Sequence, residues 1–263
     1  MRSDLLDRTV LTITDRAQWF LLTEELPTQD GFLQAVAPSL KILGVFVLVG
    51  LTVTQDEVQY AATLLALALV LAIISRIPIQ TFLGRLAGPP VIAAFIVAPQ
   101  AILMDGPRLT TVPLSITGLD YVATFSVRVA ACVGFLSLLL LTTRFSALLT
   151  GFDNLWVPSI VLLLLAITYR YLLVFFAELE RMVRARQSRT LSTHTLGRTW
   201  RDSGNFLGTF LLRSLERGED VGRAARARGG TGKTPHRPSI QLGLADIAFG
   251  LVVTGTAITV MIT

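Results

Sequence analysis

The sequence predicts an all-α integral membrane protein with about five transmembrane helices and long, charged cytoplasmic helices between the fourth and the last span. Hydrophobic residues make up 52% of the 263 residues, and the mean hydropathy is +0.63. Charged residues make up only 16% of the chain, whereas about 25% is usual for soluble domains. Several apolar runs alternate with one long charged block. These features are typical of a multi-pass membrane protein and exclude an ordinary soluble enzyme.

The chain divides into five predicted regions. These are a cytoplasmic N-terminal segment (residues 1–36), four transmembrane helices (37–142), a region of long cytoplasmic helices (143–230), a linker (231–239) and the last transmembrane helix (240–263). The first 36 residues are not a signal peptide, because acidic residues interrupt them throughout. Residues 10–22 are compatible with an amphipathic helix on the bilayer and equally with a mobile tail.

Five apolar runs are candidates to cross the hydrocarbon core, which needs about 20 residues of helix. The candidate spans are residues 37–53, 58–74, 91–104, 121–142 and 240–262. A sixth run, residues 157–176, is long enough to cross but continues directly into the charged segment 178–189.

The distribution of basic residues predicts the topology. Residues 178–238 hold 13 of the 23 Lys and Arg against 6 of the 18 Asp and Glu, a net charge of +7. Such a block belongs on the cytoplasmic side. With the N-terminus inside, four spans precede the block and a fifth follows it, so residues 157–176 form a tilted, partly embedded helix and not a simple crossing. The alternative has six crossings and an outer N-terminus, and it leaves Arg76, Arg85 and Arg144 on the wrong side.

Residues 200–228 are predicted to form an amphipathic helix. Phe206, Phe210, Leu211, Leu215 and Val221 recur at a spacing of three to four residues for most of its length, which predicts one buried face. On the other face, Glu219 and Arg223 have the spacing of an i,i+4 ion pair. Gly229 and Gly230 are expected to end the helix, since glycine adopts the left-handed conformation readily.

Arg228 therefore stands at a fixed helix tip. A planar guanidinium suits an acidic pocket or backbone carbonyl groups on a partner protein. A basic surface attracted to anionic lipids is the alternative interpretation. Residues 227–234 also resemble a phosphate-binding loop, but they follow a charged helix and not a buried strand, and Pro235 comes next. The sequence thus predicts no nucleotide site here.

Several motifs together resemble the transmembrane T component of energy-coupling factor (ECF) transporters, particularly the CbiQ type of cobalt importers. The motifs are Thr168-Tyr-Arg-Tyr-Leu-Leu, Glu180-Arg-Met, Leu212-Arg-Ser-Leu-Glu-Arg and Arg223-Ala-Ala-Arg-Ala-Arg-Gly, with weaker similarity in Pro38-Ser-Leu-Lys41 and residues 138–143. The resemblance covers most of the chain.

The resemblance implies two cytoplasmic coupling helices, each ending in an Ala-Arg-Gly motif whose arginine docks on one of two ATP-binding cassette ATPase subunits. The second motif is intact as Ala227, Arg228 and Gly229. The first falls on Ser188, Arg189 and Thr190, where only the arginine matches. Residues expected to support the two helices are Glu180, Arg181, Arg213, Glu216, Arg217, Glu219 and Arg223.

By the same resemblance the chain is a non-catalytic subunit in the cell membrane that transmits ATPase motion to a separate substrate-binding membrane protein (a CbiM-like S component). Lipid is its other partner, and no nucleic acid and no cofactor are expected. The similarity to CbiQ favours cobalt, for cobalamin biosynthesis, over nickel or a vitamin. His194 and His236 are far apart and Cys132 is alone, so the sequence predicts neither a metal centre nor a disulfide.

Two other functions compete with this prediction. A membrane-embedded enzyme acting on lipids needs paired carboxylates or a nucleophile and a base, but Glu178 and Glu180 point to different faces of a helix. A conventional ABC permease usually couples through one short helix in a loop, whereas the region here spans residues 178–238. Arg128, inside a predicted span, either has a partner in the bundle or extends to the outer interface with the help of Asp120.

Overall fold

The computed structural model describes residues 31–104, 107, 115–189, 196–229 and 243–262. Throughout these residues the regular structure is helical, so the predicted all-α membrane fold is confirmed. The described residues fall into two compact units, which we call the helix bundle (residues 31–156 and 243–262) and the long-helix pair (residues 157–229). The predicted N-terminal helix at residues 10–22 and the linker 231–239 lie outside the described residues.

The helix bundle begins with a short 3-10 turn at Leu33–Ala35. Its helices are α1 (Pro38–Val53), α2 (Val58–Ile74), α3 (Ile79–Val97), α4 (Gln100–Leu103), α5 (Ile116–Thr142), α6 (Phe145–Asn154) and α9 (Leu244–Ile262). Helix α5 is central, because it packs against α1, α2, α3 and α4, while α6 and α9 pack against α1. Ala131 and Phe135 of α5 are fully buried in the core that these contacts form.

The second predicted span agrees with α2 at both ends, but the third does not agree with α3. Helix α3 begins at Ile79, twelve residues before the predicted start, and includes Arg85, Pro89 and Pro90. The prediction was wrong here because the prolines and the arginine interrupt the apolar run. Proline removes one backbone donor, yet transmembrane helices tolerate it where neighbouring groups satisfy the freed carbonyl. Arg85 thus lies within helix α3 and not in a loop.

Within the part of the chain that the structure describes, three helical segments are long and apolar enough to cross a membrane: Ile79–Leu103, Ile116–Thr142 and Ser159–Ala185. The apolar helices Pro38–Val53, Val58–Ile74 and Leu244–Val260 are shorter. At 1.5 Å per residue, 16 residues rise about 24 Å, which approaches the hydrocarbon thickness of about 30 Å. The tilted, partly embedded path for residues 157–176, and the number of crossings, stay predictions.

The long-helix pair consists of α7 (Ser159–Arg189) and α8 (Leu196–Ala227). On α8, Phe206, Phe210 and Val221 are half-buried, as the predicted apolar face requires. Leu211 and Leu215 are 59% and 56% exposed, so placing them on the buried face was wrong. The reason is angular: at 3.6 residues per turn, Leu211 lies about 100° around the helix from Phe210.

Candidate functional site

The C-terminal end of α8 has the geometry that its glycine predicts. Gly229 has a φ of +73°, in the left-handed region, and directly follows the exposed Arg228. The Arg228 N–H donates to the carbonyl oxygens of Ala224 and Ala225, both at 3.2 Å. The Gly229 N–H donates to the Arg226 carbonyl at 3.0 Å. These bonds satisfy carbonyl groups that a helix end leaves free, so the backbone under Arg228 is fixed.

The end of α7 is described up to its last helical residue, Arg189. Ser188 is exposed, and its hydroxyl donates to the Ala185 carbonyl within the same helix at 2.9 Å. The Arg189 side chain and Thr190 lie outside the described residues. Arg228 thus directly follows α8, whereas Arg189 is the last residue of α7 that the structure describes.

One carboxylate joins the two long helices. Glu178 on α7 accepts a 2.9 Å hydrogen bond at Oε1 from Arg213 of α8, and a 2.7 Å bond at Oε2 from Arg181 of its own helix. The Glu178 side chain is 28% exposed and that of Arg213 is 56% exposed. Glu178 therefore serves as a link between helices.

An aromatic contact lies beside this link. The rings of Phe175 on α7 and Phe210 on α8 meet edge to face, with centroids 6.1 Å apart. Tyr171, one turn earlier on α7, extends the row, with its ring centroid 6.1 Å from that of Phe175. Edge-to-face pairs contribute about 0.5–1.5 kcal/mol beyond their buried area. The aromatic contact and the ion pair together set how α7 and α8 cross.

A polar cavity of about 270 Å³ lies along this crossing. Its lining includes Glu216 and Arg217, two of the residues predicted to support the helices, together with the linked Glu178 and Arg213. Acidic and basic groups are balanced around it. The formal charges of its lining residues therefore sum to zero.

Two further ion pairs among the described residues of the long-helix pair lie within single helices. Glu180 pairs with Arg184 one turn further along α7. Arg223 pairs with Asp220 at 2.7 Å, and not with Glu219, so the predicted i,i+4 pair was wrong. The i,i+3 and i,i+4 positions are both neighbours on a helix surface, and sequence spacing alone does not decide between them. Such exposed pairs contribute roughly 0–1 kcal/mol each.

Arg128 has its partners at the turn between α1 and α2. Its guanidinium donates to the Gln55 carbonyl and lies 3.3 Å from the Asp56 carboxylate. The proposed help from Asp120 was wrong, because the ion pair forms with Asp56, which sits 72 residues away in the chain. The Arg128 Nε atom is buried without a hydrogen-bond partner. Arg128 therefore has its partner within this chain, and that partner lies at an exposed turn and not inside the bundle.

Sequence reasoning considered Glu178 only as a candidate enzyme carboxylate and missed its role as a link. No local pattern signals this role, since Arg213 follows 35 residues later. Among the described residues, no group of three or more His, Cys, Asp and Glu side chains could hold a metal ion. His194 and His236 lie outside that part of the chain.

Comparison with known proteins adds two findings. The sequence profile of a family described as cobalt transport protein, CbiQ, matches residues 29–240 of this chain. An uncharacterized protein of Methanocaldococcus jannaschii is 25% identical over 261 residues, which cover 95% of this chain and 88% of that relative. The matched region includes the whole long-helix pair and the bundle as far as α6.

Proposed function

Since this chain belongs to the cobalt transport protein (CbiQ) family, we propose that it is the T component of an ECF-type ABC importer. In this role it transmits the motion of two ATP-binding cassette ATPases to a separate, CbiM-like substrate-binding membrane subunit. Cobalt for cobalamin biosynthesis is the proposed substrate, and nickel or a vitamin is the alternative. The chain itself is non-catalytic, and ATP hydrolysis belongs to its partners.

The single observation that carries this proposal is the tip of α8. Arg228 is exposed, immediately precedes a left-handed glycine, and stands on a helix that runs from Leu196 to Ala227. A charge presented on such a rod transmits force, because the helix backbone is hydrogen-bonded up to the tip. A lipid-facing basic surface needs no such fixed end, which favours docking into a protein groove over attraction to lipid.

The ion pair and the aromatic contact between α7 and α8 give the pair a role in transmission. Glu178 with Arg213, and Phe175 with Phe210, lie on neighbouring turns of both helices. A displacement of one helix end is therefore passed to the other helix at this crossing. We propose that the bundle is embedded in the plasma membrane. The N-terminus, the crossing of α7 and α8, and both arginine tips then lie in the cytoplasm, because a large basic block is kept on the cytoplasmic side.

Substitution of the tip arginine tests the proposal. Arg228→Ala, Arg189→Ala and the double variant should lose ATPase subunits in mild detergent and lose uptake of radiolabelled cobalt. Removing a buried, hydrogen-bonded interfacial charge costs about 2–5 kcal/mol. Arg226→Ala is the matched control, because Arg226 is an exposed arginine in the last turn of the same helix. The control should keep both the ATPases and uptake.

Two outcomes separate the alternatives. Normal uptake in the double variant would contradict the coupling role. If cobalt is not taken up but nickel or a vitamin is, the coupling role stands and the substrate assignment fails.

A further inference from the structure

Lys41 is a buried cation at the start of the bundle. Its side chain is only 1% exposed, although it lies in the first turn of α1. The ammonium donates to the Thr143 hydroxyl at 3.0 Å and to the Thr142 carbonyl at 3.4 Å. Thr142 is the last residue of α5, where the partial negative charge of the helix end favours a cation. Lys41 therefore ties the first turn of α1 to the end of α5.

Asp246 makes a second buried connection to the same turn. It is 4% exposed, and its Oδ1 atom accepts the Ala37 N–H at 2.6 Å. Its Oδ2 atom accepts the Gly243 N–H at 2.7 Å. Ala37 and Gly243 directly precede α1 and α9, so one carboxylate caps two helices. Lys41 and Asp246 also attract each other electrostatically.

Two glycines bring neighbouring helices against these same turns of α1. A Cβ at Gly44 would lie 2.4 Å from the Phe249 ring of α9. A Cβ at Gly151 of α6 would lie 2.8 Å from the Ile42 side chain and 3.2 Å from the Pro38 Cβ. Only glycine permits such close approach. Residues 37–44 are thus in contact with the end of α5, with α6 and with the start of α9.

The helices that make these contacts flank the long-helix pair in the chain. The chain enters α7 from α6, and after α8 it returns to the bundle at α9. We propose that residues 37–44, which we call the α1 anchor, hold both chain connections of the long-helix pair at fixed positions in the bundle. Lys41 and Asp246 are its positioning residues. This inference rests on the proposed function, because a fixed base is needed for the long helices to transmit force.

The first test measures ATP hydrolysed per cobalt ion imported by the complete complex in vesicles. Lys41→Met removes the ammonium but keeps much of the side-chain length, and it should raise this ratio about five-fold or more, the lower end of the coupling seen between distant sites. Lys41→Arg keeps the charge and should restore part of the coupling. A ratio equal to that of the unsubstituted complex would overturn the anchor.

The second test decides the outcome even if Lys41→Met does not assemble. The background carries Cys132→Ser and also Ile42→Val, which removes the methyl group that a Cβ at residue 151 would meet. In it, Pro38→Cys with Gly151→Cys places two Cβ atoms 3.2 Å apart, close to the roughly 3.5–4.5 Å of a disulfide. If the anchor is fixed through the transport cycle, the oxidised complex should import cobalt at the rate of the reduced complex. An assembled, oxidised complex that fails to transport until it is reduced would show that α6 moves on α1 and would overturn the inference.

Failure of the anchor and failure of the proposed function give different results. If the proposed function is wrong, Arg228→Ala leaves uptake normal. If only the anchor is wrong, Arg228→Ala abolishes uptake, whereas Lys41→Met leaves the ratio unchanged or the disulfide blocks transport.

Discussion

Glu178 and Arg213 form a 2.9 Å ion pair between α7 and α8, and Arg181 binds the second oxygen of the same carboxylate. This ion pair lies beside the contact between the Phe175 and Phe210 rings, which also joins the two helices. Both charged side chains are partly exposed, so the pair adds little to the stability of the protein. Its main effect is to fix where α7 contacts α8.

Glu178→Gln and Arg213→Gln should each reduce cobalt uptake per ATP hydrolysed while lowering thermal stability only slightly. The double variant should be no worse than either single variant, because both changes remove the same contact. We expect an interaction free energy in thermal unfolding below about 1 kcal/mol. Arg184→Gln is the control, since its pair with Glu180 lies within α7 alone. Strictly additive losses in the double variant would show that Glu178 and Arg213 act separately.

Gly229→Ala should loosen the last turn of α8. An alanine at a φ of +73° costs about 1–2 kcal/mol of conformational free energy. The variant avoids this cost if the last turn of the helix unwinds. Hydrogen exchange of the Arg228 amide should become faster, and the affinity for the ATPase subunits should fall. Gly218→Ala is the matched control, because its Cβ meets open space in mid-helix and alanine favours helix there. Unchanged exchange at Arg228 would contradict the capping role of Gly229.

Gly44→Ala should destabilise the bundle by about 1–3 kcal/mol, because its Cβ would overlap the Phe249 ring. Gly50→Ala on the same helix should be neutral or stabilising by up to about 1 kcal/mol, since nothing lies within 4 Å of its Cβ. Thermal unfolding in detergent, followed by a thiol-reactive dye at Cys132, measures both. Phe249→Leu should rescue Gly44→Ala. Equal unfolding temperatures for the two glycine variants would show that α1 and α9 do not pack closely here.

An impermeant maleimide should distinguish the two sides of the membrane. In a Cys132→Ser background, Asp56→Cys at the exposed α1–α2 turn should be labelled in intact cells. Ala225→Cys, exposed near the tip of α8, should be labelled only after the cells are permeabilised. The expected difference follows from the cytoplasmic location of the basic block. Labelling of Ala225→Cys from outside would reverse the topology.

The local sequence pattern was sufficient to predict some of the helix ends. The apolar run that ends at Ser75 predicted α2 at both ends, and Gly229 predicted the end of α8. Helix α3 was predicted too short because an arginine and two prolines interrupt its apolar run, although the helix continues through all three residues.

Long-range contacts could not be predicted from spacing. Glu178 meets Arg213 after 35 residues, and Arg128 meets Asp56 across 72. Lys41 was noticed only as part of a weak motif, and its burial depends on α5 and α9 being in place. The apolar periodicity also predicted too wide a buried face on α8. Periodicity shows which residues of a helix are apolar, but it does not show which of them contact another helix.

The double cap made by Asp246 has a consequence for the biosynthesis of the protein. The Ala37 N–H donates to a carboxylate that is synthesised 209 residues later. Helix α1 is therefore made long before its N-terminal bond can form, and a nascent chain halted before Gly243 leaves that helix uncapped. Closure of the bundle around α1 thus depends on the synthesis of α9.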